Sequence, residues 1–485
     1  MLLAVAFFPI ATITAKVTLP THFTNNMVLQ QNRTLTIKGK AKLRSTVTLR
    51  TGWGNEVSTD ADWLGNFTLQ VQTPKASNKP YTLTFDDGET TTLENVLIGE
   101  VWLGSGQSNM EMPIEGWGKI LNYKEEIKNA NYPQIRLLQV KKTTSLIPQE
   151  QVQVNMGGWQ ECSPAHVPNF SALCYFYAVR LWEELNIPIG IIDNDWGGTP
   201  AESWVSSETL AEVTGFEELM AKYKELDYNS EAIDIWHKEN KSNWVSPTHQ
   251  NHPTVLYNAM IHPLINFPIK GVIWYQGCSN VNRSEQYKLL FQALIHDWRR
   301  LFKQPEMPFY FVQLANFLTP SKLQPDSEWA LLREAQADAL CLPHTGMAVN
   351  IDLGDPKDIH PKTKRELGRR LSAIALNQTY DKNIPYTAPI YKDYNVVGRE
   401  IHLHFEQPKG CEPLIQEYDL PGFIIQGTDM KWHVAQARTT DQGDVIVSSP
   451  NVKYPVAVRY GWADNPTCTL RTKSGLYVAP FRTDK

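Results

Sequence analysis

Cysteine is sparse in this 485-residue chain, and it is scattered. The six cysteines (Cys162, Cys174, Cys278, Cys341, Cys411 and Cys468) include no C-x-x-C pair. That spacing excludes a zinc-ribbon type of site, and a disulfide framework is not expected in a chain able to build large cores; one or two bridges stay open. No run of Lys or Arg occurs and the net charge is -5, which argues against a nucleic-acid surface. Beyond the first fifteen residues no apolar run approaches bilayer length, so no membrane span is expected. Internal repeats and low-complexity tracts are also missing, and nothing in the pattern sets an oligomeric state. What the chain has in quantity is aromatic: fifteen Trp and nineteen Tyr, residues that fill cores and also stack on sugar rings.

Met1 to Ala15 is apolar and ends on a small residue before Lys16. This reads as a secretory signal peptide without a basic start, and places the product outside the cytoplasm, secreted or periplasmic. Residues 16–95 alternate apolar and polar positions (Leu35 and Ile37, Val47 and Leu49, Phe67, Leu69 and Val71) between Gly- and Asn-containing turns. They read as a small antiparallel β domain. Across 96–382 short apolar strands at 100–104, 188–195, 270–276, 308–314 and 345–352 stand among helical segments at 169–185, 208–226, 284–302, 329–342 and 361–378. Strands alternating with helices predict an α/β domain with a parallel five-stranded sheet covered on both faces. The two-residue period returns over 383–485, in Ile401, Leu403 and Phe405 and again at 445–447 and 456–460, as a C-terminal β domain. The polar stretch 227–255 reads as a loop or insertion.

Open α/β sheets carry their sites beyond the carboxyl ends of their strands. Four of the five expected strands end in chemistry: Gly106-Gln107-Ser108-Asn109, Asp195-Trp196-Gly197-Gly198-Thr199, Gln276-Gly277-Cys278-Ser279-Asn280 and Asp355-Pro356-Lys357-Asp358-Ile359-His360-Pro361. Together these supply a hydroxyl, glycine amides, side-chain amides, and an acid with an imidazole. Acyl transfer needs those parts. A serine hydroxyl attacks only when a base takes its proton, an imidazole suits that task near neutral pH, and a carboxylate fixes the imidazole tautomer. The oxyanion needs donors set in advance, for which Ser108 N–H, Gly198 N–H and the Gln276 or Asn280 amide are candidates.

Each motif also has an ordinary reading. Gly197-Gly198 serves equally as a tight turn. Asn280 can cap the helix beginning near Ser284, His360-Pro361 can open the last helix, and Asp355 and Asp358 suit the dipole at that helix start. His402 and His404 share a strand face, but two ligands without a third do not make a metal site.

In order along the chain, Asn26-Met27-Val28-Leu29-Gln30, Gly99-Glu100-Val101-Trp102 through Met112-Pro113, Trp196-Gly197-Gly198-Thr199-Pro200, Trp274-Tyr275-Gln276-Gly277, Asp358-Ile359-His360-Pro361-Lys362, Val458-Arg459-Tyr460 and Pro480-Phe481-Arg482-Thr483-Asp484 resemble the motifs of the sialate O-acetylesterases and related carbohydrate acetylesterases of the SGNH-hydrolase superfamily. The resemblance covers nearly the whole mature chain. It implies a flavodoxin-like SGNH fold and a serine esterase, free of metal and cofactor, that removes acetyl groups from sugar hydroxyls. Ser108 would be the nucleophile, His360 the base and Asp358 its orienting acid. Ser108 N–H, Gly198 N–H and Gln276 would bind the oxyanion, and Gln107, Asn109, Trp196 and Asn280 are candidates for the substrate pocket. The partner is an acetylated sugar or oligosaccharide, either an O-acetylated sialic acid or a plant polysaccharide. The chain departs from the family at Gly277-Cys278-Ser279-Asn280, where Glu is usual in place of Cys278. Lys357 stands three residues before His360, where many superfamily members carry the acid, so Asp355 is a rival to Asp358. The missing Glu motivates a second reading, a non-catalytic carbohydrate-binding protein on an esterase scaffold.

Overall fold

The computed structural model describes residues 16–225 and 249–484; the expected leader Met1–Ala15 and most of 227–255 lie outside them. The core is a sheet whose strands run in the order Thr345–Ala348, Phe309–Val312, Gly271–Tyr275, Thr90–Gly106, Ile189–Asp195, Tyr132–Gln139 and Gln160–Cys162. The five expected strands lie side by side and parallel, and two more extend the sheet. Tyr132–Gln139 adds a further parallel strand and Gln160–Cys162 an antiparallel edge. Pro133 and Arg136 hide the first of these from a pattern search. Arg136 is nonetheless buried, because its guanidinium donates to the carbonyls of Pro133 and Asn26 at 2.7 and 3.1 Å.

The central strand is longer than its apolar core. Thr90–Gly106 pairs antiparallel with Ser77–Asp86 among the N-terminal strands, then parallel with both neighbours in the main sheet. One strand therefore runs unbroken across residues 95 and 96. Every residue from Val96 to Gly106 is buried, as a strand covered on both faces requires.

Alternation along the strands separates the two faces. Trp102 stacks on Tyr310 and meets Tyr177 of helix Ala172–Leu185 edge-on. Trp274 packs against Phe291 and Trp298 of helix Ser284–Leu301. Since Trp102 is paired with Gly271, Trp274, three residues on, points to the other side, and helices cover both faces. The expected helix at 208–226 is instead two short ones, Ser207–Leu210 and Glu217–Glu225, parted at Gly215 with φ of 92°. The expected strand at 345–352 stops at Ala348, and Asn350 turns to donate to the Tyr275 hydroxyl at 2.8 Å.

Beyond the last helix, Lys364–Gln378, two four-stranded sheets enclose their own core around Ile401, Leu403, Phe423, Val447, Val458 and Tyr460. Arg333 of helix Glu328–Ala337 joins this unit to the main sheet. Its fully buried guanidinium donates to the carbonyls of Leu314, Ala315, Ala463 and Asp464. All six cysteines are unpaired. Among the described residues, no helix is long and apolar enough to cross a membrane, and no cluster of three metal-ligating side chains occurs.

Candidate active site

The carboxyl edge of the central strand delivers Ser108. Gly106 holds φ of 139°, and a Cβ there would lie 2.2 Å from the Tyr275 carbonyl oxygen, so only glycine fits. Gln107 then donates its N–H to that same oxygen at 2.9 Å, while its side-chain oxygen accepts from Gly277 N–H at 2.8 Å. The chain turns at once into helix Ser108–Glu111. As the first helical residue, Ser108 keeps its N–H out of the helix ladder.

His360 arrives from 252 positions away. Its Nε2 lies 2.9 Å from Ser108 Oγ, and its Nδ1 lies 3.2 Å from Asp358 Oδ1. The same aspartate oxygen accepts from His360 N–H at 3.0 Å, which fixes both ring and backbone of the histidine. Asp355 is turned away: exposed, it accepts from Lys357 N–H at 2.8 Å. Burial lowers the His360 imidazole from its ordinary value, the Asp358 carboxylate opposes that shift, and the nearby Lys364 charge adds to it. The resting ring is therefore neutral near pH 7 and accepts a proton at Nε2. The Trp117 ring packs against it in a T-shaped arrangement, with ring centroids 5.0 Å apart.

Gly197 and Gly198 lie beside the serine. Glu111, one helical turn beyond Ser108, accepts from Gly197 N–H at 2.5 Å through one oxygen and pairs with Lys142 at 2.6 Å through the other. Gly198 is exposed, with φ of 76° and open space where a side chain would stand, and its N–H meets no acceptor among the described residues. A cavity of about 470 Å³ opens beside Glu111 and Trp117 and is lined further by Gln139, Lys142, Asn155 and Asp195. Burial pushes the Asp193 and Asp195 carboxyls up, and the Asp193 charge raises Asp195 further.

Five expected site residues make other contacts. Gln276 is fully buried and spends both amide hydrogens, on the Thr199 carbonyl at 3.2 Å and on Asn280 Oδ1 at 2.7 Å, so no N–H remains for an oxyanion. Asn280 neither caps helix Ser284–Leu301 nor lines the cavity. It is buried, accepting from Ala201 N–H at 3.1 Å and donating to Glu202 at 2.9 Å. Gln107 and Asn109 are buried braces. Asn109 donates to the Ile359 carbonyl at 2.9 Å and accepts from Lys364 Nζ at 2.7 Å. Trp196, half-buried, anchors the glycine turn by donating its N–H to the Gly106 carbonyl at 3.1 Å. Glu111, Trp117 and Lys364 were not singled out by sequence. Only Glu111 carried a signal, three residues after the serine on the same helix.

A parallel sheet with covered faces that delivers a serine, a histidine and an aspartate together at its carboxyl edge has the architecture of the SGNH hydrolases. The chain superimposes on the crystal structure of XAC1771, a carbohydrate acetylesterase from Xanthomonas citri, with a TM-score of 0.84 and 35% identity over 97% of this chain and 100% of that one. The family profile "Carbohydrate esterase, sialic acid-specific acetylesterase" matches residues 229–377. Human sialate O-acetylesterase is 30% identical over 424 residues, 81% of this chain and 76% of that protein, and the mouse enzyme is 31% identical over 438 residues, 81% and 78%. The chain belongs to the sialate O-acetylesterase family of carboxylic ester hydrolases.

Proposed function

We propose that this protein removes acetyl groups from sugar hydroxyls through an acetyl-enzyme on Ser108. The 2.9 Å approach of His360 Nε2 to Ser108 Oγ carries the reading. As Oγ attacks the acetyl carbonyl carbon, its proton passes to Nε2, and Asp358 steadies the resulting imidazolium. The carbonyl oxygen becomes an oxyanion, for which the free N–H groups of Ser108 and Gly198 are the donors at hand. Collapse breaks the bond to the sugar oxygen, which takes the proton from Nε2 and leaves as an alcohol. Water then gives a proton to Nε2 and attacks the acetyl-enzyme; Nε2 returns that proton to Ser108 Oγ as acetic acid departs and ionises in solvent. No step calls on a metal or cofactor.

The cavity beside the triad supports a sugar as the acyl bearer. It offers carboxylates, amides and an ammonium for hydroxyls, and in Trp117 an aromatic face. The mammalian relatives' names point to O-acetylated sialic acid, and the Xanthomonas neighbour to carbohydrate acetyl esters in general. Export is proposed from the apolar Met1–Ala15 segment.

The test is acetate release from 4-nitrophenyl acetate and from a panel of acetylated sialosides and hemicellulose oligosaccharides, with wild type and Ser108→Ala. Loss of turnover in the variant, by about 10³-fold or more, is the expected result. Equal background hydrolysis by both proteins would leave the carbohydrate-binding reading in its place.

A further inference from the structure

Lys364 is an unlikely place for a lysine by every local rule. Its side chain is fully buried, and it stands at the first position of helix Lys364–Gln378, where the helix dipole repels a cation. Among the described residues its ammonium meets no carboxylate within ion-pair reach. Nζ donates to Asn109 Oδ1 at 2.7 Å and lies 5.3 Å from the centre of the Tyr275 ring. The other end of Asn109 donates to the carbonyl of Ile359 at 2.9 Å. Asn109 follows Ser108, and Ile359 precedes His360. The lysine thus stands behind a second side-chain bridge, beside the Ser108–His360 contact itself, between the turn that carries the hydroxyl and the loop that carries the imidazole.

We propose that Lys364 is a positioning residue which, through Asn109, fixes the Ser108 turn to the His360 loop. This rests on the reading of Ser108 and His360 as nucleophile and base. An ammonium donor makes the Asn109 bond a charge-assisted one and orients the amide so that its N–H₂ end faces Ile359. Without it, Asn109 could flip and the loop would lose its tie.

Charge gives the proposal its signature. The groups facing Lys364 are Tyr275 and Cys278 from the end of strand Gly271–Tyr275, Asp358 and His360 from the loop, and Asn109 from the short helix; Arg333 lies beyond Cys278. Burial lowers the Lys364 ammonium to about 7, and burial pushes the Cys278 thiol up to about 12, so Cys278 stays neutral and gives no countercharge. The position where relatives usually hold Glu is therefore one whose charge Lys364 would feel. In this chain, raising the pH through about 7 discharges the lysine and weakens the Asn109 bond. Below that pH the positive charge also lowers His360.

The test is the pH dependence of kcat and kcat/KM on 4-nitrophenyl acetate for Lys364→Met, Lys364→Gln and Cys278→Glu, with Ser108→Ala in the same assay. Lys364→Met should lower kcat about ten- to a hundred-fold with little change in KM, as small displacements of reacting groups do. Lys364→Gln, which keeps an N–H donor for Asn109, should recover much of that loss. In both, the acid limb of kcat/KM should move to higher pH, because His360 is freed from a neighbouring cation. A residue that only fills space would lower the folded fraction without moving that limb. Cys278→Glu keeps the lysine charged for longer and should carry the alkaline limb upward, a readout that survives if the lysine variants do not fold. Wild-type kcat and an unmoved acid limb in a folded Lys364 variant, or an unmoved alkaline limb in Cys278→Glu, overturn the proposal. Retained activity in Ser108→Ala would instead overturn the reading of the site.

Discussion

Removing the Asp358 carboxylate should cost this enzyme less than the loss of a buried triad aspartate usually does. A triad acid sealed from water is worth about 10⁴ in turnover when its charge is removed. Here the Asp358 side chain is 40% exposed and its oxygen stands 3.2 Å from His360 Nδ1, a long bond open to solvent screening. A hydrogen bond to a charged group contributes about 1.5–3 kcal/mol, which corresponds to about a 10- to 150-fold effect on rate. Asp358→Ala should therefore lower kcat on 4-nitrophenyl acetate by that factor and stay clearly above Ser108→Ala. Asp355→Ala is the matched control: its carboxylate only accepts from Lys357 N–H at the surface, so its kcat should stay within about twofold of wild type. A loss in Asp358→Ala as deep as in Ser108→Ala would show that exposure is the wrong guide to this acid. Full activity in Asp358→Ala with a loss in Asp355→Ala would reassign the triad.

Two further outcomes follow from the same geometry. In the proposed mechanism the reactive form of His360 is the neutral ring, and burial lowers its proton affinity, so that form persists to lower pH than in a free imidazole. The acid limb of wild-type kcat/KM should have its midpoint below about 6.5, and a midpoint above that value would contradict the balance of burial over Asp358. Gln276→Ala should act on stability rather than chemistry. It strips two buried hydrogen bonds and should cost about 1–3 kcal/mol in a denaturation curve, with kcat of the folded enzyme within about threefold. A hundredfold fall in kcat at unchanged stability would return Gln276 to the oxyanion.

Five strands of the main sheet were legible because they are short, apolar and separated by long helical periods. The strand ends then named Ser108 and His360 without any three-dimensional information, since a parallel sheet gathers its carboxyl ends along one edge. Tyr132–Gln139 escaped because a buried arginine satisfied by backbone carbonyls looks, in one dimension, like a break in an apolar run. The amides escaped for a different reason. A glutamine at a strand end has two donors, and sequence says where it is but not which acceptors lie within 3 Å of it. At Gln276 those acceptors are the Thr199 carbonyl and Asn280, both fixed by the fold, and they take the hydrogens an oxyanion would need.

That division explains why the donors proposed for the oxyanion are backbone groups. Among the described residues Ser108 N–H meets no acceptor, because it begins a helix, and neither does Gly198 N–H, whose turn has φ of 76°. Neither can rotate into a competing bond as a side-chain amide does. Glu111 holds the neighbouring Gly197 N–H and Asn109 holds the histidine loop, so in the proposed mechanism the polar side chains around the triad position it and the main chain is left to meet the oxyanion. Electrostatic stabilisation by groups already fixed in place needs little reorganisation as charge develops, and the proposed mechanism gives that task to main-chain atoms.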